Sequence, residues 1–397
     1  MASQRRAGFG RPGFDGYIVP SQTSLGACPL KIEKAEVRYV ELPLISPWRT
    51  AYGEDATIHS VIVKLQGGGV EAWGEATPFY APTYSPESAI SVYETASQFL
   101  LPRVVGEEID LAAELIDLLS IYKGNPFAKA AVETAWWGLQ SKVLGEPLWR
   151  VLGGETDEIL CGADFGVQDS IDELLGLIQG AVDGGFPRIK LKVKHGWDVE
   201  MLEAVRSAFP DPVIHVDCNS GYDLHQDADT LKAFDRFDLA MIEQPLQYTD
   251  LIEHAELQKM INTPVCLDES VKSPRDFALA LRVGACKVIN VKPGRVGGLY
   301  QAKQIHDMAV NEGIEAWVGG MLESGIGAGI CAALGTLPGF TYPADLFPST
   351  KWYVEDITEH WIELDDDNYV RLGDRVGVGF EPVPERLDRV TKLRDVI

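Results

Sequence analysis

Several features that would define other kinds of protein are missing from this chain. In 397 residues no apolar run reaches the roughly 18 to 20 residues that a membrane-crossing helix needs. Basic residues are scarce: 35 lysines and arginines face 59 aspartates and glutamates, and they form no long cluster. A net charge of -24 repels a phosphate backbone, so nucleic acid is not an expected partner. The six cysteines (Cys28, Cys161, Cys218, Cys266, Cys286 and Cys331) show no CxxC or CxxH spacing, which excludes a zinc finger and reads as reduced core residues. No apolar stretch follows Arg5 and Arg6, so the segment 1–29, rich in Gly, Pro and Ser, does not read as a secretory signal. It is expected to be an unordered tail on a cytoplasmic protein. There is no GxSxG elbow either, since Ser324 follows Leu322 and Glu323.

What is present is an ordinary globular composition, with 46% hydrophobic and 24% charged residues, in a chain larger than one simple core. From Leu30 the text alternates: "KIEKAEVRYVELPL", "TIHSVIVKLQ", a Gly67-Gly68-Gly69 turn and "VEAWGEA" read as antiparallel strands. Helical periodicity follows over 85–150, with a start at Ser85 and Pro86 and a stop at Gly145. After 154 short apolar runs begin near 159, 188, 213, 239, 264, 287, 315 and 341, separated by amphipathic stretches. Eight β units at the period of one strand plus one helix argue for a parallel β/α barrel. The expected organisation is α/β: a (β/α)7β TIM-like barrel over 154–354, and an α+β capping domain formed by 30–153 and the tail from about 355 to 397.

In a β/α barrel chemistry sits at the C-terminal ends of the strands. There this sequence places Lys190 and Lys192, then Asp217 and Asn219, Glu243, Asp268 and Glu269, Lys292, and Glu323 after the seventh run. Steps from Lys192 through Asp217, Glu243, Asp268 and Lys292 are 25, 26, 25 and 24 residues. Any one acid at a strand end is most simply a helix cap or a solvated loop residue. Three carboxylates on adjacent strands repel one another unless a cation lies between them. Asp217, Glu243 and Asp268 are therefore expected to bind a hard cation, Mg2+ with Mn2+ as a substitute, rather than zinc. Lys192 and Lys292 would flank it. An ammonium near a divalent cation loses its proton more easily, as a general base requires, and the reaction class that follows is proton abstraction α to a carboxylate. Lys190 reads as a supporting cation and Lys194 as a solvent-exposed bystander. The scattered histidines, His215 among them, read as core or surface residues.

The set "KLK", "VDCN", "IEQP", "LDES" and a sixth-strand lysine, in this order and spacing, resembles the enolase superfamily in its muconate-lactonising subgroup. "INVKPGRVGG" and "GGMLESGIG" look most like the o-succinylbenzoate synthase and N-acylamino acid racemase family. The resemblance runs from about 46 to 391. It implies Asp217, Glu243 and Asp268 as Mg2+ ligands, Lys192 and Lys292 as the acid/base pair, and Lys190, Asn219, Glu269 and Arg295 in support. It also implies a capping loop "SPWRTAYGE" and a facing segment "PFYAPTYS", so that Arg49, Tyr52, Gly320, Leu322 and Glu323 are expected around a small-molecule carboxylate substrate. A homo-oligomer is expected. Two positions depart from the family pattern. Asp164 stands where a serine is expected; pointing inward, it would disfavour a succinyl carboxylate, and a one-residue shift would turn it outward. Ala328 stands where arginine is common. The leading expectation is o-succinylbenzoate synthase, with N-acylamino acid racemase or another racemase or cycloisomerase of the same subgroup beside it. A phosphate- or sugar-acid-binding barrel built on "GGMLESGIGAG" and a non-catalytic scaffold are the readings of a different class.

Overall fold

The computed structural model describes residues 29–397, so the expectation for 1–29 lies almost wholly outside the described residues. The alternating N-terminal text forms the long strands β1 (Lys34–Thr50) and β2 (Gly53–Gly67) and the shorter β3 (Val70–Ala76). The turn between β2 and β3 consists of Gly68 and Gly69, with φ of +58° and +78°. A two-residue hairpin turn whose twist matches its strands needs positive φ at both positions, which glycine supplies without a steric penalty. The helical layer starts later than expected. Ser88, not Ser85, caps the helix Ala89–Thr95 by accepting from Ser91 N. Glu87 is turned elsewhere: its carboxylate accepts from Phe127 N and Ala128 N at 3.0 Å, capping the helix Pro126–Leu144, which ends at Gly145 in the left-handed conformation.

Beyond this layer comes β4 (Glu158–Leu160), then the parallel strands β5 (Ala163–Phe165), β6 (Ile189–Lys192), β7 (Ile214–Asp217), β8 (Ile242–Glu243), β9 (Val265–Leu267), β10 (Val288–Val291) and β11 (Glu315–Val318). They form one curled seven-stranded sheet in sequence order. Each is followed by a helix on its outer side, the first Ile171–Asp183 and the last Gly325–Gly335. The expected eighth strand, "TYPADL", is not one, because Pro343 has no N–H to give a ladder. The segment nevertheless closes the gap between the edge strands. Thr341 N and Asp345 N donate to Ala316 O and Val318 O, while Ala344 N donates to Leu160 O and Ala344 O accepts from Gly162 N.

The alternating text of 361–380 pairs with the start of the barrel segment rather than with the N-terminal sheet: β12 (Tyr369–Arg371) lies antiparallel to β4. The strand that joins the N-terminal sheet is the last, β13 (Thr391–Val396), antiparallel to β1 in the order β13-β1-β2-β3. Carboxylates fasten this N-terminal layer to barrel helices. Glu75 accepts from Ser324 N and Gly327 N, and Glu133 from Leu299 N and Tyr300 N. No helix among the described residues is long and apolar enough to cross a membrane. The five described cysteines are buried free thiols.

Candidate active site

Parallel register sets the inward side chains in levels. Asp164, Lys190 and His215 are neighbours across β5, β6 and β7, and one level higher Lys192, Asp217 and Glu243 adjoin across β6, β7 and β8. Below them the axis is filled by Met241, Cys266, Val288 and Trp317, with Tyr342 against them. His215 stands edge-on to Trp317 and Tyr342 and bonds the Tyr342 hydroxyl at 2.9 Å. Burial holds its imidazole neutral, down to about 4.

Above that floor is an interlocked set of charges. Lys190 Nζ lies 3.0 Å from Asp217 Oδ2, 2.7 Å from Glu243 Oε2 and 2.9 Å from Asp345 Oδ2. Lys192 Nζ donates to the same Asp217 oxygen at 2.6 Å and to Asn219 Oδ1 at 3.0 Å. On the other side Lys292 Nζ donates to Asp268 Oδ2 at 2.9 Å, while Asp268 Oδ1 accepts from Arg295 and from the Tyr84 hydroxyl, the latter at 2.7 Å. Asn290 Nδ2 donates to Glu243 Oε1 at 2.7 Å. Asn219 Nδ2 donates to Glu269 Oε1 at 3.2 Å. Lys192 faces the ring of Trp48 at 5.9 Å and Lys292 that of Tyr84 at 4.8 Å, so aromatic residues of the N-terminal layer cover both amines.

These contacts fix the electrostatics. Burial pulls the Lys192 ammonium below the usual lysine range; Asp217 opposes this and Lys190 adds to it. For Lys190 burial acts in the same direction, but Asp217 and Glu243 outweigh it and the ammonium is held above its ordinary range. Glu243 is held well below the usual carboxylate range: burial resists, and Lys190 with its neighbours prevails. Glu269 is pushed up to about 7, first by burial and then by Asp217. Among the described residues no three Asp, Glu, His or Cys side chains are gathered as they stand in a way that holds a metal ion. The lysines and Arg295 occupy the oxygens instead. The donor set itself suits a hard cation, since it is made of carboxylate oxygens, and Glu243 Oε2 and Glu269 Oε2 are buried without a hydrogen-bond donor. The 2.7 Å approach of Lys190 to Glu243 Oε2 is an ion pair without hydrogen-bond alignment.

Comparison with known proteins agrees with this architecture. Residues 173–386 match the family model described as enolase C-terminal domain-like, and residues 33–153 match that of the mandelate racemase / muconate lactonizing enzyme N-terminal domain. The chain is 39% identical over 365 residues to o-succinylbenzoate synthase of Geobacillus kaustophilus, covering 92% of this chain and 97% of that one. It is equally 39% identical, over 362 residues, to N-succinylamino acid racemase of Thermus thermophilus, covering 91% and 98%. A crystal structure of an enolase superfamily member from Listeria innocua superposes with a TM-score of 0.88 at 35% identity, covering 93% of this chain and 99% of that one. The chain belongs to the enolase superfamily, in the o-succinylbenzoate synthase and N-acylamino acid racemase family.

Members of this superfamily generally use Mg2+, and the residues expected from the sequence now have places. Lys190, Lys192, Asp217, Asn219, Glu243, Asp268, Glu269, Lys292 and Arg295 are all buried at the barrel mouth, and Lys194 is exposed. Tyr52 is half-buried near Glu269 and Lys292; burial and Glu269 push its phenol up. Glu323 is pushed up to about 7 by burial and accepts from Met321 N at 2.8 Å. Gly320 abuts the chain at Asp345, where a Cβ would meet the Asp345 carbonyl oxygen at 2.5 Å. Leu322 has φ of +59°, and its carbonyl accepts from the Tyr353 hydroxyl. Arg49, near the end of β1, is half-buried; its carbonyl accepts from Val167 N just beyond β5, and its side chain is paired with Glu54 at 2.8 Å and with Asp169 of the barrel at 2.6 Å.

Asp164 points inward, but its carboxylate is taken by Arg188, a fully buried guanidinium that also holds Asp345. Arg188 and Asp345 were not singled out by sequence, and neither was Trp48 or Asn290. Ala328 is buried within the helix Gly325–Gly335. The phosphate-loop reading of that segment fails on geometry. The Gly325 and Gly327 N–H groups are already bound by Asp356 and Glu75, two carboxylates that would repel a phosphate.

Proposed function

We propose that the protein is a Mg2+-dependent enzyme that removes the proton α to a substrate carboxylate. Its proposed reaction is the dehydration of 2-succinyl-6-hydroxy-2,4-cyclohexadiene-1-carboxylate to o-succinylbenzoate, a step of menaquinone biosynthesis. One observation carries the reading: two buried lysines, Lys192 on β6 and Lys292 after β10, flank the three carboxylate-bearing strands between them. Asp217, Glu243 and Asp268 would hold the metal, whose charge, when bound, neutralises the substrate carboxylate and the charge left by proton loss. Asp217 Oδ2 serves both Lys190 and Lys192. Drawing that carboxylate toward another cation leaves Lys192 with Asn219 and loosens its hold on its own proton.

Lys192 Nζ then takes the α proton and returns a proton to the departing hydroxyl, which leaves as water, so the proton count closes. Lys292 stays charged opposite it, and Trp48 keeps water from Lys192. A second reading, racemisation of an N-acylamino acid, is favoured by the burial of both lysines: Lys192 removes the proton from one face and Lys292 delivers one to the other. Incubation in D2O with an N-succinylamino acid and, separately, with the cyclohexadiene carboxylate distinguishes them. Dehydration without exchange supports the synthase, and exchange with racemisation supports the racemase. Absence of both, together with no heat of Mg2+ binding in calorimetry, overturns the reading.

A further inference from the structure

The substrates of both proposed reactions carry a second carboxylate at the far end of a succinyl arm. The ionic ring has no cation to spare for it, since Lys190, Lys192, Lys292, Arg188 and Arg295 each already hold a carboxylate. Lys351 differs. It lies in the short helix Ser349–Trp352, and its ammonium has no ion pair and no hydrogen bond among the described residues. The ammonium stands 5.8 Å from the ring centre of Phe165, the last residue of β5, and 5.9 Å from that of Trp352. Trp352 packs edge-on against Trp48 at 4.9 Å, and Trp48 stands 5.9 Å from Lys192 Nζ. One aromatic wall therefore runs from the proposed base to Lys351.

Asp164, next to Phe165, is paired with Arg188 and not with Lys351. The surface of Lys351 as a residue is exposed, yet the surroundings of its ammonium are crowded enough to pull it below the usual lysine range, with Asp164 opposing. Both rings lie within cation–π reach of the amine. A cation placed so, with rings on two sides and no carboxylate in ion-pair contact among the described residues, is stabilised by a carboxylate that arrives with the substrate.

We infer that Lys351 is the specificity residue for the distal carboxylate of a succinyl-type substrate, an inference that rests on the proton-abstraction reading above. The test compares N-succinyl and N-acetyl derivatives of one amino acid, the second lacking the distal carboxylate, by α-proton exchange in D2O. Lys351→Ala raises KM for the N-succinyl compound about tenfold, changes its kcat less than about threefold and leaves the N-acetyl compound unaffected; Lys351→Arg restores the preference. Lys351→Glu reverses it. Because the side chain is exposed, these variants keep the fold, and circular dichroism checks that they do. If the wild type prefers the succinyl compound and Lys351→Ala keeps that preference, this inference is wrong and the proton-abstraction reading stands. If the wild type exchanges neither compound and binds neither in calorimetry, both fall together.

Discussion

Two positions along a strand separate the floor of this barrel from its mouth, and they separate two kinds of chemistry. Met241 lies in the floor and Glu243 in the mouth; Cys266 and Asp268 are related in the same way, as are Val288, Asn290 and Lys292 above it. Met241, Glu243, Cys266, Asp268 and Asn290 are all fully buried, so burial does not distinguish the levels. What differs is the need for partners. An apolar side chain is stabilised by leaving water, whereas a buried charge must find an opposite charge merely to offset its desolvation. The floor accordingly holds the fold together, and the mouth is a set of charges whose net contribution to stability is small and whose arrangement serves chemistry.

The comparison can be broken at either level. The largest effect is expected from Lys192→Ala, which should lower α-proton exchange about 10³-fold while leaving the denaturation midpoint nearly unchanged, since Asp217 keeps Lys190. A midpoint that falls along with the rate would make Lys192 a structural residue. Arg188→Met should destabilise by about 3–5 kcal/mol in chemical denaturation, because it leaves Asp164 buried without its partner. A loss below about 1 kcal/mol would show that the pair contributes little to the fold.

Glu133 sharpens the comparison outside the barrel. It is fully buried, and burial pushes it up from 4.5 to about 7 against the N–H groups of Tyr300 and Leu299. The folded state therefore binds the proton more tightly than the unfolded chain. The stability this contributes is fully present below pH 4.5 and is lost as pH rises through about 7, amounting to about 3 kcal/mol. In Glu133→Gln that part of the pH dependence disappears, which urea titrations at pH 5 and pH 8 measure; an unchanged difference between the two pH values sinks the idea. The smallest effect belongs to the floor. Val288→Ala should cost about 2 kcal/mol of stability and leave exchange unaltered. A variant that loses activity while keeping its stability would mean that the floor also shapes the site.

Much of the mouth was legible because a β/α barrel repeats. One ionisable residue recurs at each strand end, and the strand period of two assigns it to the inner face, which brought together Lys192, Asp217, Glu243, Asp268 and Lys292. The residues that escaped lie off that register. Arg188 comes at the start of its strand rather than the end, and Asp345 lies in a segment whose proline prevents it from being a strand. Trp48 and Tyr84 are far away in sequence and reach the mouth only when the N-terminal layer closes over it. Asp164 was visible, but the meaning of its charge depended on Arg188, which no local pattern connects to it.

The sequence by itself determined the repeat, the inward face of each strand and the ring of ionisable groups, because these follow from backbone geometry within one β/α unit. Tertiary structure alone decided which charge neutralises which, which aromatic rings cover the two lysines, and that Lys351 has no ion-pair partner among the described residues. Some partners come from neighbouring strands, as with Asp164 and Arg188, but others are brought in from far along the chain, as with Asp345 and Lys190 or Trp48 and Lys192, and chain pattern carries no information about such distances until the layers pack.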